Sequence, residues 1–418
     1  MNHPVVFRVR GLVVAPVLLV TSLNASAEEG GFLEGAKARL DLRNYYINNN
    51  YVGDRAVQGK AEEWTQSFIL NAKSGFTEGT VGVGADLLGI YSVKLDGGGG
   101  TGGSQLLPMR DGKPADDFGR LGLALKARIG LTELKVGEWS PALPILASND
   151  GRSLPQTFQG AQISSTDIKG VALYGGQIRA NSPRFDDSMS PMTLNGVPQF
   201  TSDRFNFGGA QLISQNELTL LGVWYAQLED IYHQQHVQFR HRQPVGAWSF
   251  GTSLGYFQGK EDGRALAGAL DNKTYSAQFS VAYSGHTVTL GLQKVSGETG
   301  WMRVNGTSGN ALASDTWNAS YDNAEERSWQ IKHNFDFVVW GIPGLTIMNR
   351  YTHGENIHTP TIDGGKERGR DLELGYVIQS GPLQNLSIRW RNSNMRRSWG
   401  SNSFDENDII LYYPINIL

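Results

Sequence analysis

Basic residues at even separations recur in three segments of the 418-residue chain: Lys37, Arg39 and Arg43; Lys126 and Arg128; and Arg389 and Arg391. On a β-strand, residues separated by two or four positions point to the same face. Arginine can hold a carboxylate through two parallel hydrogen bonds, and it stays charged at all ordinary pH values. The spacing therefore indicates rows of cations that either bind small carboxylates or simply keep a polar surface hydrated.

The residues around these cations alternate in polarity, as strands with one apolar face do. Leu121, Leu123 and Leu125 alternate with small or basic residues, and Ile388 and Trp390 flank Arg389 and Arg391 in the same way. A register slip of one residue would turn the arginines toward the apolar side. In a membrane that exposure costs roughly 2–4 kcal/mol for each arginine near the midplane. The basic faces must therefore point to water.

The N-terminal residues indicate export from the cytoplasm. Arg8 and Arg10 precede the apolar run 11–23, and Ala25-Ser26-Ala27 then forms a small-residue cleavage site. This order predicts a secretory signal peptide over residues 1–27 and a mature chain over 28–418. The mature chain has 35 basic and 40 acidic residues and no cysteine, for a net charge of −5. So acidic a chain excludes nucleic acid as a partner.

The connections between the alternating segments differ systematically in length. Eight short breaks, such as 129–131 and 284–286, separate mostly long polar connections, such as 92–118, 179–204, 297–326 and 354–368. No later apolar run approaches the ~18 residues of a membrane helix. Short turns at one end and long loops at the other are typical of outer-membrane barrels. We predict an all-β, transmembrane, antiparallel up-and-down barrel of about 18 strands, with short periplasmic turns and long extracellular loops, embedded in bacterial outer-membrane lipid.

Short motifs distributed along the whole mature chain carry a family resemblance. They are LRNYY (42–46), WTQ (64–66), SGFT (74–77), GTVG (79–82), LDG (95–97), DGKP (111–114), LKAR (125–128), LPQT (154–157), DIY (230–232), GIPGLT (341–346), DLE (371–373), GP (381–382), LSIR (386–389) and YP (413–414). In these segments the chain resembles the OprD-type family of substrate-specific outer-membrane porins. The resemblance implies an eighteen-stranded channel for small nutrients, mostly carboxylates. It also implies that the seven cations above form a ladder that passes a carboxylate down the pore.

The loop 139–156 is the expected constriction of that channel. Pro141, Pro144 and Pro155 stiffen the loop, and Ile145 and Leu146 are suited to anchor it against the barrel wall. Its tip carries the polar residues Ser148, Asn149, Asp150 and Arg152. In the family the corresponding loop folds into the lumen. The alternative is an ordinary surface loop.

Two features bear on the solute. The final strand carries Asp408, Ile409 and Ile410 where some relatives have a further basic residue, and the segment 154–160 is more similar to the branch for aromatic and other monocarboxylates. Diffusive uptake of such monocarboxylates is therefore expected, by a monomer or a loosely associated trimer. Uptake of basic amino acids or peptides, and a less selective pore, stay open as alternatives.

Other classes of protein are less well supported by the sequence. An outer-membrane barrel enzyme would need a catalytic set at one rim, and no G-x-S-x-G motif occurs. An adhesin would use the long loops for binding without solute flow. His233 and His236 lie three residues apart, which sends their rings to opposite faces of a strand. We therefore expect no enzyme activity, metal or cofactor.

Overall fold

The computed structural model describes residues 31–53, 56, 58–359, 361–400 and 403–418. The predicted signal peptide, 1–27, lies outside these ranges. Eighteen strands form one sheet in which each strand pairs antiparallel with its neighbour in the chain, and the first pairs with the last. Closure leaves no unpaired strand edge, as the interior of a membrane requires. The prediction of an eighteen-stranded up-and-down barrel is confirmed.

The eighteen barrel strands are β1 (Lys37–Val52), β2 (Lys60–Lys73), β3 (Gly82–Asp96), β4 (Asp117–Ile129), β5 (Thr132–Trp139), β6 (Thr157–Ser165), β7 (Val171–Ser182), β8 (Phe205–Ile213), β9 (Thr219–Leu228), β10 (Tyr232–Val245), β11 (Trp248–Glu261), β12 (Asp271–Tyr283), β13 (His286–Ser296), β14 (Arg327–Asp336), β15 (Leu345–Thr359), β16 (Ile362–Val377), β17 (Ser387–Arg397) and β18 (Ser403–Asn416). A 3₁₀-helix, Phe337–Trp340, lies between β14 and β15. Three short hairpins lie in the long loops: Met109–Arg110 with Lys113–Pro114, Ala142–Leu143 with Leu146–Ala147, and Met192–Leu194 with Val197–Ser202. No helix in the described ranges is long and apolar enough to cross a membrane.

The two faces of the barrel wall follow the predicted alternation. Leu121, Leu123 and Leu125 of β4 are 55–68% exposed on the outer face, whereas Lys126 points inward and is buried. On β17, Ile388 and Trp390 are likewise exposed on the outside, while Arg389 and Arg391 face the lumen. The apolar outer face is available to lipid, and the polar inner face can hold water.

One predicted loop is wrong in its extent. The segment 354–368 was expected to be a polar connection, but β15 and β16 continue through it and meet at a tight turn. The loop 297–326 packs against the inner face here. A Cβ at Gly354 would lie 2.9 Å from the ring of Tyr321, and one at Gly369, just beyond the segment, would lie 2.7 Å from its hydroxyl. Close packing therefore accounts for Gly354 and Gly369.

An apolar cluster fills part of the barrel interior, where a polar surface would be expected. Inward side chains of β7–β11, including Ile178, Phe205, Trp224 and Phe257, are at most 4% exposed. Loop residues such as Leu143 and Leu312 pack against them. The cluster occupies one side of the lumen, so the aqueous space lies toward the other strands.

Candidate functional site

The loop 139–156 turns into the barrel, as predicted. Ile145 and Leu146 are only 3% and 1% exposed, and they join the apolar cluster beside Phe158. Ser308, in the loop 297–326, donates its backbone N–H to the Ala147 carbonyl at 2.9 Å. The loop is therefore held inside by the wall on one side and by a second loop on the other. We call it the inward loop below.

The tip of the inward loop reaches across to β1. Both guanidinium nitrogens of Arg43 bind Asp150, at 2.8 and 3.0 Å, and Arg43 also donates to the Arg152 carbonyl at 2.7 Å. Asn149 accepts a hydrogen bond from Arg184 at 2.8 Å. The hydroxyl of Ser148 is buried and has no hydrogen-bond partner in the described residues. Arg43, predicted as a solute contact, therefore holds the tip of the inward loop in position.

Arg391 stands above this tip in a cavity of about 910 Å³. Asp150, Arg152 and Trp317 also line the cavity. The Arg391 guanidinium lies 4.3 Å from the centre of the Trp317 ring, and its Nε donates to Glu373 at 2.5 Å. Cations stack favourably on tryptophan faces. The cavity thus presents a held guanidinium beside an aromatic surface.

Arg389 lies two residues nearer the periplasm on the same inner face. No hydrogen bond or ion pair of its side chain is found within the described ranges, and its Nε is buried without a partner. By strand register Arg389 is opposite Ile410, which is opposite Tyr45, two residues from Arg43. Arg389 is therefore an inward guanidinium without a protein partner in the described residues.

The remaining predicted cations lie apart from this group. Arg39 binds Asp41 at 2.8 Å on β1, below Arg43. Lys126 binds Asp86 at 2.9 Å, and the Arg128 guanidinium lies 4.2 Å from the Phe76 ring centre. Lys37 is the first residue of β1. The structure brings Arg43, Arg389 and Arg391 together with Asp150 and Arg152, and it leaves Lys37, Lys126 and Arg128 near the periplasmic end.

Several inward cations were missed by the sequence reasoning. Arg240 and Lys332 line a second cavity of about 380 Å³, together with amides such as Gln278 and Gln330. Arg350 lies 5.2 Å from the centre of the same Trp317 ring and binds Asp371 at 2.8 Å. The alternation of polar and apolar residues around each of these cations indicates an inward position, so the sequence could have identified them. The cavities and pairings depend on distant strands and could not be found that way.

The two histidines do not share a site. His236 points inward and stacks on Phe257 with ring centres 3.8 Å apart, whereas His233 lies on the opposite face of β10. In the described ranges, no group of three His, Asp or Glu side chains is placed to hold a metal ion. Their separation follows from the alternation along the strand.

Asp315 in the loop 297–326 makes the channel charge depend on pH. It borders both cavities and accepts a hydrogen bond from Ser320 at 2.8 Å, and burial raises its pKa to about 6. Its negative charge is present above this pKa and is lost as the pH falls below it. We expect the preference for anions to rise between pH 7 and pH 5, measured as a reversal potential in a salt gradient.

Replacement of Asp315 by asparagine supplies the control for that measurement. Asp315→Asn should show the low-pH selectivity already at pH 7 and should lose much of the change between pH 7 and 5. An identical pH response in the two proteins would assign the change to other carboxylates.

Comparisons with known proteins agree with this architecture. The family model described as outer membrane porin, OprD family, matches residues 30–417. The porin-like protein GalP of Pseudomonas putida is 58% identical over 402 residues, which cover 96% of this chain and 97% of GalP. Pseudomonas aeruginosa OccK2 (OpdF) in complex with glucuronate is 56% identical, with a TM-score of 0.86, over 93% of this chain and 100% of that one. Pseudomonas aeruginosa OpdK with vanillate is 44% identical, with a TM-score of 0.87, over 92% and 100%. The chain belongs to the OprD family of outer membrane porins.

Proposed function

We propose that this porin admits small monocarboxylates, aromatic ones among them, along a basic ladder. The ladder consists of Lys37, Arg39, Arg43, Lys126, Arg128, Arg389 and Arg391. The inward loop, through Ser148, Asn149, Asp150 and Arg152, narrows the path beside it. The observation that carries the proposal is Arg389, an inward guanidinium with no partner among the described residues and directly below the Arg391–Trp317 pair.

The relatives support a carboxylate as the recognised group. One related structure contains glucuronate and another contains vanillate. Glucuronate is a sugar acid and vanillate is an aromatic acid, so a single carboxylate is the group that they share. Lumenal arginines suit that shared group, and Trp317, which lines the cavity, provides an aromatic surface beside them.

The pairing of the cations explains how a solute could pass without being trapped. Arg39, Arg43 and Arg391 each already bind a carboxylate of the protein, at 2.5–2.8 Å. These acids hold the guanidinium groups in position and reduce their attraction for a second anion. A solute would meet Arg391 first, then Arg389 and the β1 arginines, and leave past Lys126 and Arg128. A series of moderate sites allows both entry and exit.

Uptake of basic amino acids or peptides is the second candidate. It is favoured by inward acids along the same wall, including Asp41, Glu373 and Asp408. A less selective, size-limited pore is the third candidate. The three differ in the charge of the solute that enters fastest. Whether barrels act singly or as loosely associated trimers stays a prediction.

Liposome swelling with the purified native protein tests these candidates. Benzoate, arginine and a neutral sugar of similar size are compared at equal osmolarity. Swelling is expected to be several times faster with benzoate than with the other two, because the inward guanidinium of Arg389 attracts a carboxylate. Fastest entry of arginine would support the basic-solute candidate, and equal rates would support a pore limited by size.

A further inference from the structure

We propose that the outer wall of β12–β17 binds the phosphate groups of lipid A, the phosphorylated glycolipid of the outer leaflet. The inference concerns the outside of the barrel and does not depend on which solute passes through it. It requires only that the long loops are extracellular, as the barrel topology of this family implies.

The upper edge of the lipid-facing band is marked by aromatic side chains. Tyr256 and Tyr275 pack with ring centres 5.0 Å apart, and Trp329 and Tyr351 pack at 5.5 Å. All four occupy outward positions on β11, β12, β14 and β15. Aromatic girdles of this kind lie at the level of the lipid head groups.

Basic side chains occupy the outward positions beside and above these aromatic residues. Lys294 is directly opposite Tyr275, and Arg370 is directly opposite Tyr351. Three more basic residues lie two residues further from the membrane on the outer face: Lys273 on β12, Arg327 on β14 and Arg368 on β16. All five are exposed. We call these five residues the basic belt: Lys273, Lys294, Arg327, Arg368 and Arg370.

The charges of the basic belt are not compensated within the described protein. Lys294 is directly opposite Arg327, and Arg368 is directly opposite Arg396. Like charges facing one another across strands are destabilising. No belt side chain has a hydrogen bond or ion pair in the described residues. Arg327 is also directly opposite Glu355 on β15, which lies 3.7 Å from His353, and Asp405 binds Arg396 at 2.7 Å.

Three outward basic residues elsewhere on the barrel are paired. Arg179 binds Asp203 at 2.6 Å, Arg204 binds Glu229 at 2.9 Å, and Lys60 binds Glu62 at 2.5 Å. The belt residues therefore differ from these three in having no acid bound to them in the described residues. An anionic partner outside the chain would remove the repulsion that the like-charge neighbours create.

The arrangement fits a partner with two phosphate groups. The Lys294–Arg327 and Arg368–Arg396 pairs are separated by β15, so their nearest strands, β14 and β16, are roughly 10 Å apart. Lipid A carries one phosphate at each end of its disaccharide and has acyl chains that would lie along the apolar wall below. Arginine and lysine bind phosphate oxygens strongly.

Native mass spectrometry of the purified barrel in detergent, with added lipids, tests the proposal. The lipids are bis-phosphorylated lipid A, the same lipid after enzymatic dephosphorylation, and phosphatidylglycerol. The native protein should bind the bis-phosphorylated form at least about tenfold more tightly than either other lipid. The variant Lys294→Gln/Arg327→Gln/Arg368→Gln/Arg370→Gln should lose this advantage, because each basic group near a membrane surface contributes appreciably.

The matched control removes four outward charges that already have acidic partners. Lys60→Gln/Arg110→Gln/Arg179→Gln/Arg204→Gln should bind lipid A as the native protein does. The proposal is overturned if the belt variant binds as well as the control. It is also overturned if dephosphorylated lipid A or phosphatidylglycerol binds the native protein as tightly as the bis-phosphorylated form.

Discussion

The double variant Arg389→Gln/Arg391→Gln should lose most of the preference for benzoate over a neutral sugar of similar size. At about 10 Å and an effective dielectric constant between about 20 and 80, a unit charge contributes roughly 0.4–1.7 kcal/mol to the energy of an anion. Two charges beside the path therefore change the benzoate rate by at least about fourfold. The glutamine side chains keep the lumen polar, so swelling in the neutral sugar should change little.

Two single variants test whether the effect of an arginine on benzoate entry depends on its place in the lumen and on its acidic partner. Arg128→Gln removes an inward charge that lies against Phe76, away from the Arg391–Trp317 cavity, and should reduce benzoate entry much less. Glu373→Gln frees Arg391 from its carboxylate partner and should slow the escape of benzoate, seen as longer current blocks in single-channel recordings. Equal rates for the double variant and the native protein would mean that these arginines only keep the lumen hydrated.

Leu146→Asp should release the inward loop and raise single-channel conductance severalfold. Leu146 is 1% exposed within the apolar cluster, and an unpaired carboxylate there costs several kcal/mol. The barrel strands do not depend on this contact because their hydrogen bonds close around the wall. The loop should therefore move while the barrel stays folded, and discrimination among benzoate, arginine and the sugar should weaken together.

Ala142→Asp is the matched control for that variant. It adds the same charge to the same loop at an exposed position, so the loop should stay in place. Retention of the folded barrel by both variants is checked by resistance to unfolding in SDS. An unchanged conductance in a folded Leu146→Asp barrel would show that the Arg43–Asp150 contact holds the loop without its apolar anchor.

The two loop variants and the arginine variants separate size from charge. In the proposed function, the inward loop sets the width of the path, since it is held by apolar packing at one end and by Arg43 at the other. The arginines of β17 set the local charge, and they are held by strands that do not move with the loop. Widening the path should change the entry rates of all solutes alike, whereas removing the charge should change the entry rates of anions alone.

The sequence by itself determined the strands, their number and the face on which each ladder cation lies. Each strand reveals its inward face through alternation, and a register slip at Arg389 and Arg391 would put both charges into lipid. The sequence also predicted the anchoring role of Ile145 and Leu146, because apolar residues in a polar loop are expected to pack against the barrel wall.

Only the tertiary structure decided which cations are paired and which parts of the lumen are open. Arg43 binds Asp150, which is 107 residues away in the sequence, and Arg391 of β17 contacts Trp317 of the loop 297–326. Neither contact can be inferred from the residues adjacent to it in the sequence. The apolar cluster inside the barrel combines inward residues of β7–β11 with residues of the inward loop. Local alternation reports the side of the wall on which a residue lies, but pairing and pore shape depend on where distant loops end after the barrel closes.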